Sequence, residues 1–306
     1  MQALTLIKEQ ISTFLNELNS PLALELYKHL EHGKMLRSKL ILNIAGDCAL
    51  SIKLCAIVEM IQSASLLHDD VIDNATTRRN KPSINALFGD KNSIMLGDIL
   101  YSKAFSELGV FMQDYPKIPS IIADSVATLA IGELEDVELS KSFNENCNKY
   151  LEMITHKTAS LIEASAYAAA LLANKSDKSA QNFRIYGRNL GIAFQIIDDV
   201  LDIVEDSKTL GKPALSDFKE GKTTLPYIYL YETLEKKDRE FLVSCFKKEL
   251  DNKEQEWILS NLKQSGAIEK SIKLAQNLGE AGVNAIKQES CDKLVSIMQE
   301  MINRKF

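Results

Sequence analysis

Proline and glycine are scarce in this chain, with six and 13 residues among 306. No proline falls between Pro119 and Pro213. Long stretches rich in Leu, Ile, Ala, Glu and Lys therefore lack helix breakers, and that composition favours helix. Strand signals are missing too: there is no sustained apolar alternation and no Asn-Gly turn.

Cysteine is sparse. Cys48, Cys55, Cys147, Cys245 and Cys291 form no CxxC pair. The odd count and wide spacing argue against a disulfide framework and fit reduced, mostly buried thiols of a cytoplasmic protein. Positive charge is not in excess. A net charge of −6 argues against a broad nucleic-acid-binding surface but leaves room for local basic pockets. None of His29, His32, His68 and His156 follows a Glu by three positions, so the Glu-x-x-His pairs of a di-iron carboxylate bundle are absent. Long apolar runs are missing as well. The most apolar stretch, Thr158 to Ala173, is interrupted by Glu163 and is too short to span a bilayer, so it reads as a buried helix. The first ten residues carry Lys8 and Glu9 without an apolar core, and no signal peptide is expected.

What is present is helical periodicity. Leu54, Ile57, Ile61 and Ala64 form a stripe that continues through His68 and Val71. A chain of this length buries a sizeable core, and no low-complexity linker divides it. The expected architecture is all-α, a single-domain bundle over residues 1–306 with about ten or more helices. Loops are expected at Arg78–Pro82, Gln113–Pro119 and Ser207–Thr224.

Two acidic clusters sit in the apolar helices. Asp69 and Asp73 stand four apart, as do Asp198 and Asp202, so each pair shares a helical face. Asp70 and Asp199 complete two DDxxD motifs, and Gln195 lies one turn before the second. Like charges at this spacing repel, and burying them unpaired costs more. A hard cation resolves the conflict, and Mg²⁺ characteristically takes one or two carboxylates plus substrate phosphates. One such cluster alone would read equally well as an acidic helix end. Cations follow in order: Lys34 and Arg37, Arg78 and Arg79, Lys157 beside Thr158, then Lys212 and Lys222. Arginine forks and mobile lysines suit phosphate.

From Gly33 to about Ala285 the chain resembles the trans-isoprenyl diphosphate synthases, or polyprenyl synthetases. The motifs are GKxxR, DDxxD, RR, KT and FQxxDDxxD, in that order. The resemblance implies the isoprenoid synthase fold, with its site in a central cavity, and a homodimer. It implies that Asp69, Asp73, Asp198 and Asp202 ligate Mg²⁺, about three ions held with the diphosphate, supported by Asp70 and Asp199. Arg78 and Lys157 join these aspartates as catalytic residues. Lys34, Arg37, Gln62 and Arg79 match the isopentenyl diphosphate site. Arg78, Lys157, Thr158, Gln195, Lys212 and Lys222 match the allylic side. The resemblance further implies that an allylic cation, formed as diphosphate departs, is attacked by the isopentenyl double bond, and that the released diphosphate takes the proton. Two positions depart from the pattern: Gln62 where many bacterial members have His, and Leu215 where glycine is usual.

The small Ala64 and Ser65, one turn before Asp69, leave room for a growing chain, with Ile61, Ile57 and Leu129 as tunnel lining or floor. The first motif also lacks the insertion of many farnesyl synthases. The expected product is hexaprenyl to octaprenyl diphosphate made from a farnesyl primer, for quinone side chains. No nucleic acid and no stable membrane insertion are expected, only a passing membrane contact for product release. The alternatives are a farnesyl or geranylgeranyl diphosphate synthase, a non-catalytic subunit, which intact aspartates disfavour, and a terpene cyclase, which Lys34 and Arg37 disfavour.

Overall fold

The computed structural model describes residues 2–31, 33–204, 215–289 and 291–304. The chain divides into two compact units, Met1–Val126 with Ala164–Arg184, and Ala127–Glu163 with Ile185–Phe306. Among the described residues the only sheet is one two-stranded hairpin.

The first unit is organised by α4 (Ala49–Ile72). Its start is fixed by Ser51, whose hydroxyl accepts the Cys48 N–H at 2.9 Å. Leu54, Ile57, Ile61 and Ala64 are completely buried, as the stripe requires. The helix ends at Asp73, and Asn74 follows with φ of 52°. A left-handed residue after a helix end is a common stop, and Asn tolerates it. Around α4 pack α1 (Gln2–Asn16), α3 (Leu36–Ala45) and α6 (Asp90–Glu107). On α1 the buried set is Ile7, Ile11, Phe14 and Leu15. Between α1 and α3, α2 (Pro21–Lys28) begins with Pro21 after a Ser20 cap. Among the described residues α4 alone is long and apolar enough to cross a membrane, and 61% of its apolar window is buried inside the fold. Most of that window is therefore occupied by packing.

The expected loop at Arg78–Pro82 is instead a hairpin, β1 (Thr77–Arg78) against β2 (Lys81–Pro82), with Arg78 opposite Lys81. The turn residues Arg79 and Asn80 have φ of 54° and 63°. A two-residue turn matched to strand twist needs positive φ at both positions, and here Arg-Asn supplies it without glycine. After α5 (Ile84–Phe88) and α6, α7 (Lys117–Leu139) starts inside the second expected loop and takes Pro119 into its first turn, where proline is tolerated.

In the second unit α8 (Cys147–Ile154) is capped by Asn146, whose side chain accepts from Asn148 and Lys149 N–H. One π-helical turn, Thr155–Ala159, joins it to α9 (Ser160–Leu172). Thr158, expected to open a buried helix, stands with Lys157 in this wide turn. Helix α10 (Asp177–Val204) carries the second acidic motif. Part of the third expected loop is helical, as α11 (Ser216–Glu220); residues 205–214, including Lys212, lie outside the described set. The remaining helices are α12 (Leu225–Thr233), α13 (Lys236–Ser244), α14 (Asn252–Gln264), α15 (Ala267–Ala285) and α16 (Asp292–Ile302). One core joins Tyr150, Ile154, Ile196, Ile197, Val200, Phe218 and Tyr227 with Ile258 and Leu262. The five cysteines are free as expected, but only Cys55 and Cys245 are buried.

Candidate active site

The first acidic motif closes α4. Asp69 is part-buried, Asp70 buried and Asp73 exposed at the helix C-cap. Arg78, on the hairpin, donates from Nε to Asp70 at 2.6 Å and from Nη2 to Asp69 at 3.0 Å. Burial raises the Asp70 carboxyl above its ordinary value, and Arg78 partly offsets this. His68 turns the other way: its Nε2 lies 3.2 Å from the Ile94 carbonyl oxygen and 3.4 Å from Asp98, on α6.

The same unit carries three more of the predicted cations, Lys34, Arg37 and Arg79. Glu59 accepts from the Ser38 N–H and hydroxyl, at 3.3 and 2.7 Å. Its charge acts on both Arg37 and Arg79. Burial lowers the Arg37 guanidinium to about 10, with Glu59 pulling upward. Arg37 Nε and Gln62 Oε1 are buried with no hydrogen-bond partner among the described residues. A buried polar atom left in that state is costly unless something else satisfies it. Arg79 donates to the Glu31 carbonyl, and Lys34 is exposed.

In the second unit Lys157 Nζ lies 2.6 Å from Asp136 and 3.0 Å from Glu133, both on α7. Thr158 donates to Gln195 Oε1 at 2.8 Å, and Gln195 Nε2 donates onward to Asp199 at 2.8 Å. The Tyr150 hydroxyl completes the set on Asp199 at 2.5 Å. Burial, reinforced by Asp217, pushes the Asp199 carboxyl well above its ordinary value. Asp202 is buried and accepts from the Ser216 hydroxyl and the Asp217 N–H. Asp198 accepts from Arg304, whose guanidinium lies 4.6 Å from the Phe194 ring centre. Lys222 is 3.4 Å from Glu220.

Within the first unit the fold groups Asp69, Asp70, Asp73 and Arg78; within the second it groups Lys157, Thr158, Gln195 and Asp199. Both acidic motifs offer only oxygen donors spaced by one helical turn, which fits a hard divalent cation. Sequence reasoning missed Glu59, Glu133, Asp136, Tyr150, Asp217 and Arg304. Glu133 and Asp136 carried a signal, two carboxylates three apart in an apolar helix; Tyr150 and Arg304 carried none.

The predicted tunnel residues separate. Ala64 and Ile61 are completely buried, whereas Ser65 is partly accessible on the same face of α4 as Asp69. Leu129 belongs to the other unit and is 7% exposed. Leu215 is buried with φ of 63°, a conformation that costs an L side chain about 1 kcal/mol and that glycine adopts freely.

A family model described as polyprenyl synthetase matches residues 20–262. The chain is similar to octaprenyl pyrophosphate synthase from Helicobacter pylori, at 46% identity over 99% of both chains with a TM-score of 0.93. It is similar to geranylgeranyl pyrophosphate synthetase from Pyrococcus horikoshii Ot3, at 29% identity over 99% of this chain and 97% of that one, TM-score 0.92. It is also similar to polyprenyl synthase from Caulobacter crescentus CB15, solved with calcium and isoprenyl diphosphate, at 29% identity over 100% and 95%, TM-score 0.90. The chain belongs to the polyprenyl synthetase family and is a prenyltransferase, an enzyme of the class that joins isopentenyl diphosphate to allylic diphosphates.

Proposed function

We propose that this prenyltransferase makes long polyprenyl diphosphates, hexaprenyl to octaprenyl, from farnesyl and isopentenyl diphosphates, for quinone side chains. The observation that carries the reading is the accessible face of α4. Four residues before Asp69, that face presents the hydroxymethyl group of Ser65. A residue this small leaves room for a growing chain. The 46% identity to an octaprenyl synthase supports the same reading.

Asp69 with Asp73, and Asp198 with Asp202, would hold Mg²⁺, which offsets the charge on a departing diphosphate. Arg78 and Lys157 supply fixed positive charge on the allylic side, an electrostatic contribution present before the bond breaks. Gln195 orients the Thr158 hydroxyl and is itself held by Asp199, with Lys222 and Lys212 as further cations on that side. Arg37, Arg79, Lys34 and Gln62 receive the isopentenyl diphosphate. The buried Arg37 Nε, a donor with no partner among the described residues, supports this placement. The chain works as a homodimer, a reading supported by the exposed stripe Ile131, Leu134 and Val137 on α7. We place it in the cytoplasm, touching a membrane only to release product.

Asp69→Ala and Asp198→Ala test the site directly. Each is expected to cut Mg²⁺-dependent incorporation of labelled isopentenyl diphosphate by about 10²-fold or more, with unchanged circular dichroism. Wild-type rates in both variants would overturn the assignment.

A further inference from the structure

Lys157 and Thr158 sit on the one π-helical turn described in the chain, Thr155–Ala159. Such a turn holds one residue more than the regular ladder and is less favourable than the α-helix on either side, so something must hold it. Two glycines press on it. A Cβ built at Gly132 on α7 would lie 2.1 Å from the Lys157 backbone nitrogen, 2.6 Å from its Cα and 2.7 Å from the His156 carbonyl carbon. A Cβ at Gly191 on α10 would lie 2.5 Å from the Ala159 Cα. These are backbone atoms of a packed turn, so a methyl group at either glycine must displace the turn itself.

We infer that Gly132 and Gly191 are positioning residues for Lys157 and Thr158. Each helix does two jobs four residues apart. On α7, Gly132 meets the backbone of Lys157, and Asp136 holds its ammonium group. On α10, Gly191 meets the end of the turn, and Gln195 holds the Thr158 hydroxyl. Residues four apart share a helical face, so each helix fixes the backbone and the functional atom from one surface. The lysine and threonine are thereby set against two rigid helices rather than against a loop. The inference rests on the proposed role of Lys157 and Thr158 on the allylic diphosphate side.

The test is a double-mutant cycle between Gly132→Ala and Lys157→Ala. It reads kcat and, separately, calorimetric binding of inorganic diphosphate with Mg²⁺. In the wild-type background Gly132→Ala is expected to lower kcat by about 10²-fold, as a misplacement near 1 Å does, and to weaken diphosphate binding. In the Lys157→Ala background the same substitution is expected to cost less than about twofold, because the group it positions is gone. Equal losses in both backgrounds would overturn the inference, since Gly132 would then act independently of Lys157. Full activity and binding in Lys157→Ala alone would instead overturn the reading on which it rests. Hydrogen exchange on the unaltered enzyme provides a check that no folding defect can obscure. The Thr155–Ala159 amides are expected to be as protected as the adjoining turns of α8 and α9. Exchange at open-loop rates would overturn the inference.

Discussion

Tyr150 on α8 donates a hydrogen bond to Asp199 on α10 at 2.5 Å, and both residues are buried. The carboxyl so enclosed is raised well above its ordinary 3.8, by burial first and by the nearby charge of Asp217 second. The folded chain therefore binds this proton more tightly than the unfolded chain. Its stabilising contribution is full below about 3.8 and is lost as pH climbs through the folded value. For metal-free protein, the melting temperature of Asp199→Asn minus that of wild type is expected to grow more positive as pH rises above about 4. A difference that stays flat or falls would contradict the raised carboxyl.

Arg78 is the charge partner of Asp69 and of the buried Asp70. Arg78→Ala leaves Asp70 buried without that fork. The expected cost is about 1–3 kcal/mol in denaturant unfolding, together with a fall in kcat of about 10²-fold. Arg78→Lys restores the charge but not the two-pronged geometry, and its kcat is expected to stay well below wild type. Wild-type kcat in Arg78→Lys would show that a point charge suffices.

Much of this was legible in the sequence, for particular reasons. The α4 stripe and the two DDxxD motifs repeat at helical spacing, and periodicity is a local property that survives without tertiary context. The hairpin was not legible, because its strands are two residues long and its turn is Arg79-Asn80 rather than Asn-Gly. The π-turn was not legible because close backbone packing against Gly132 and Gly191 accompanies it, and no local composition encodes that packing. Nor were Tyr150 and Asp199, 49 positions apart, or Arg304 and Asp198, 106 apart, linked by any pattern along the chain.

Chain length gives a third prediction. Ser65→Phe places a ring on the accessible face of α4, about one 5.4 Å turn from Asp69, and is expected to shorten the product. Ala64 is completely buried, so Ala64→Phe must push on the core and is expected to cost about 1–3 kcal/mol as well. Chromatography of the products checks the first, and denaturant unfolding the second. An unchanged product length in Ser65→Phe would remove this face from the tunnel.

The C-terminal helix is held by a buried hydrogen bond from the Tyr186 hydroxyl to the Leu294 carbonyl, 2.7 Å long. Tyr186→Phe removes the donor and leaves the carbonyl without it. A loss of about 1–2 kcal/mol is expected in urea unfolding, with product length unchanged. A shift in product length would mean that α16 reaches the tunnel.

The most direct measurement is product length from labelled isopentenyl diphosphate and farnesyl diphosphate, with and without Mg²⁺. The account predicts a Mg²⁺-dependent ladder ending at roughly six to eight isoprene units. Products that stop at geranylgeranyl diphosphate would contradict the long-chain reading, and no Mg²⁺-dependent incorporation with any allylic primer would contradict the catalytic site itself.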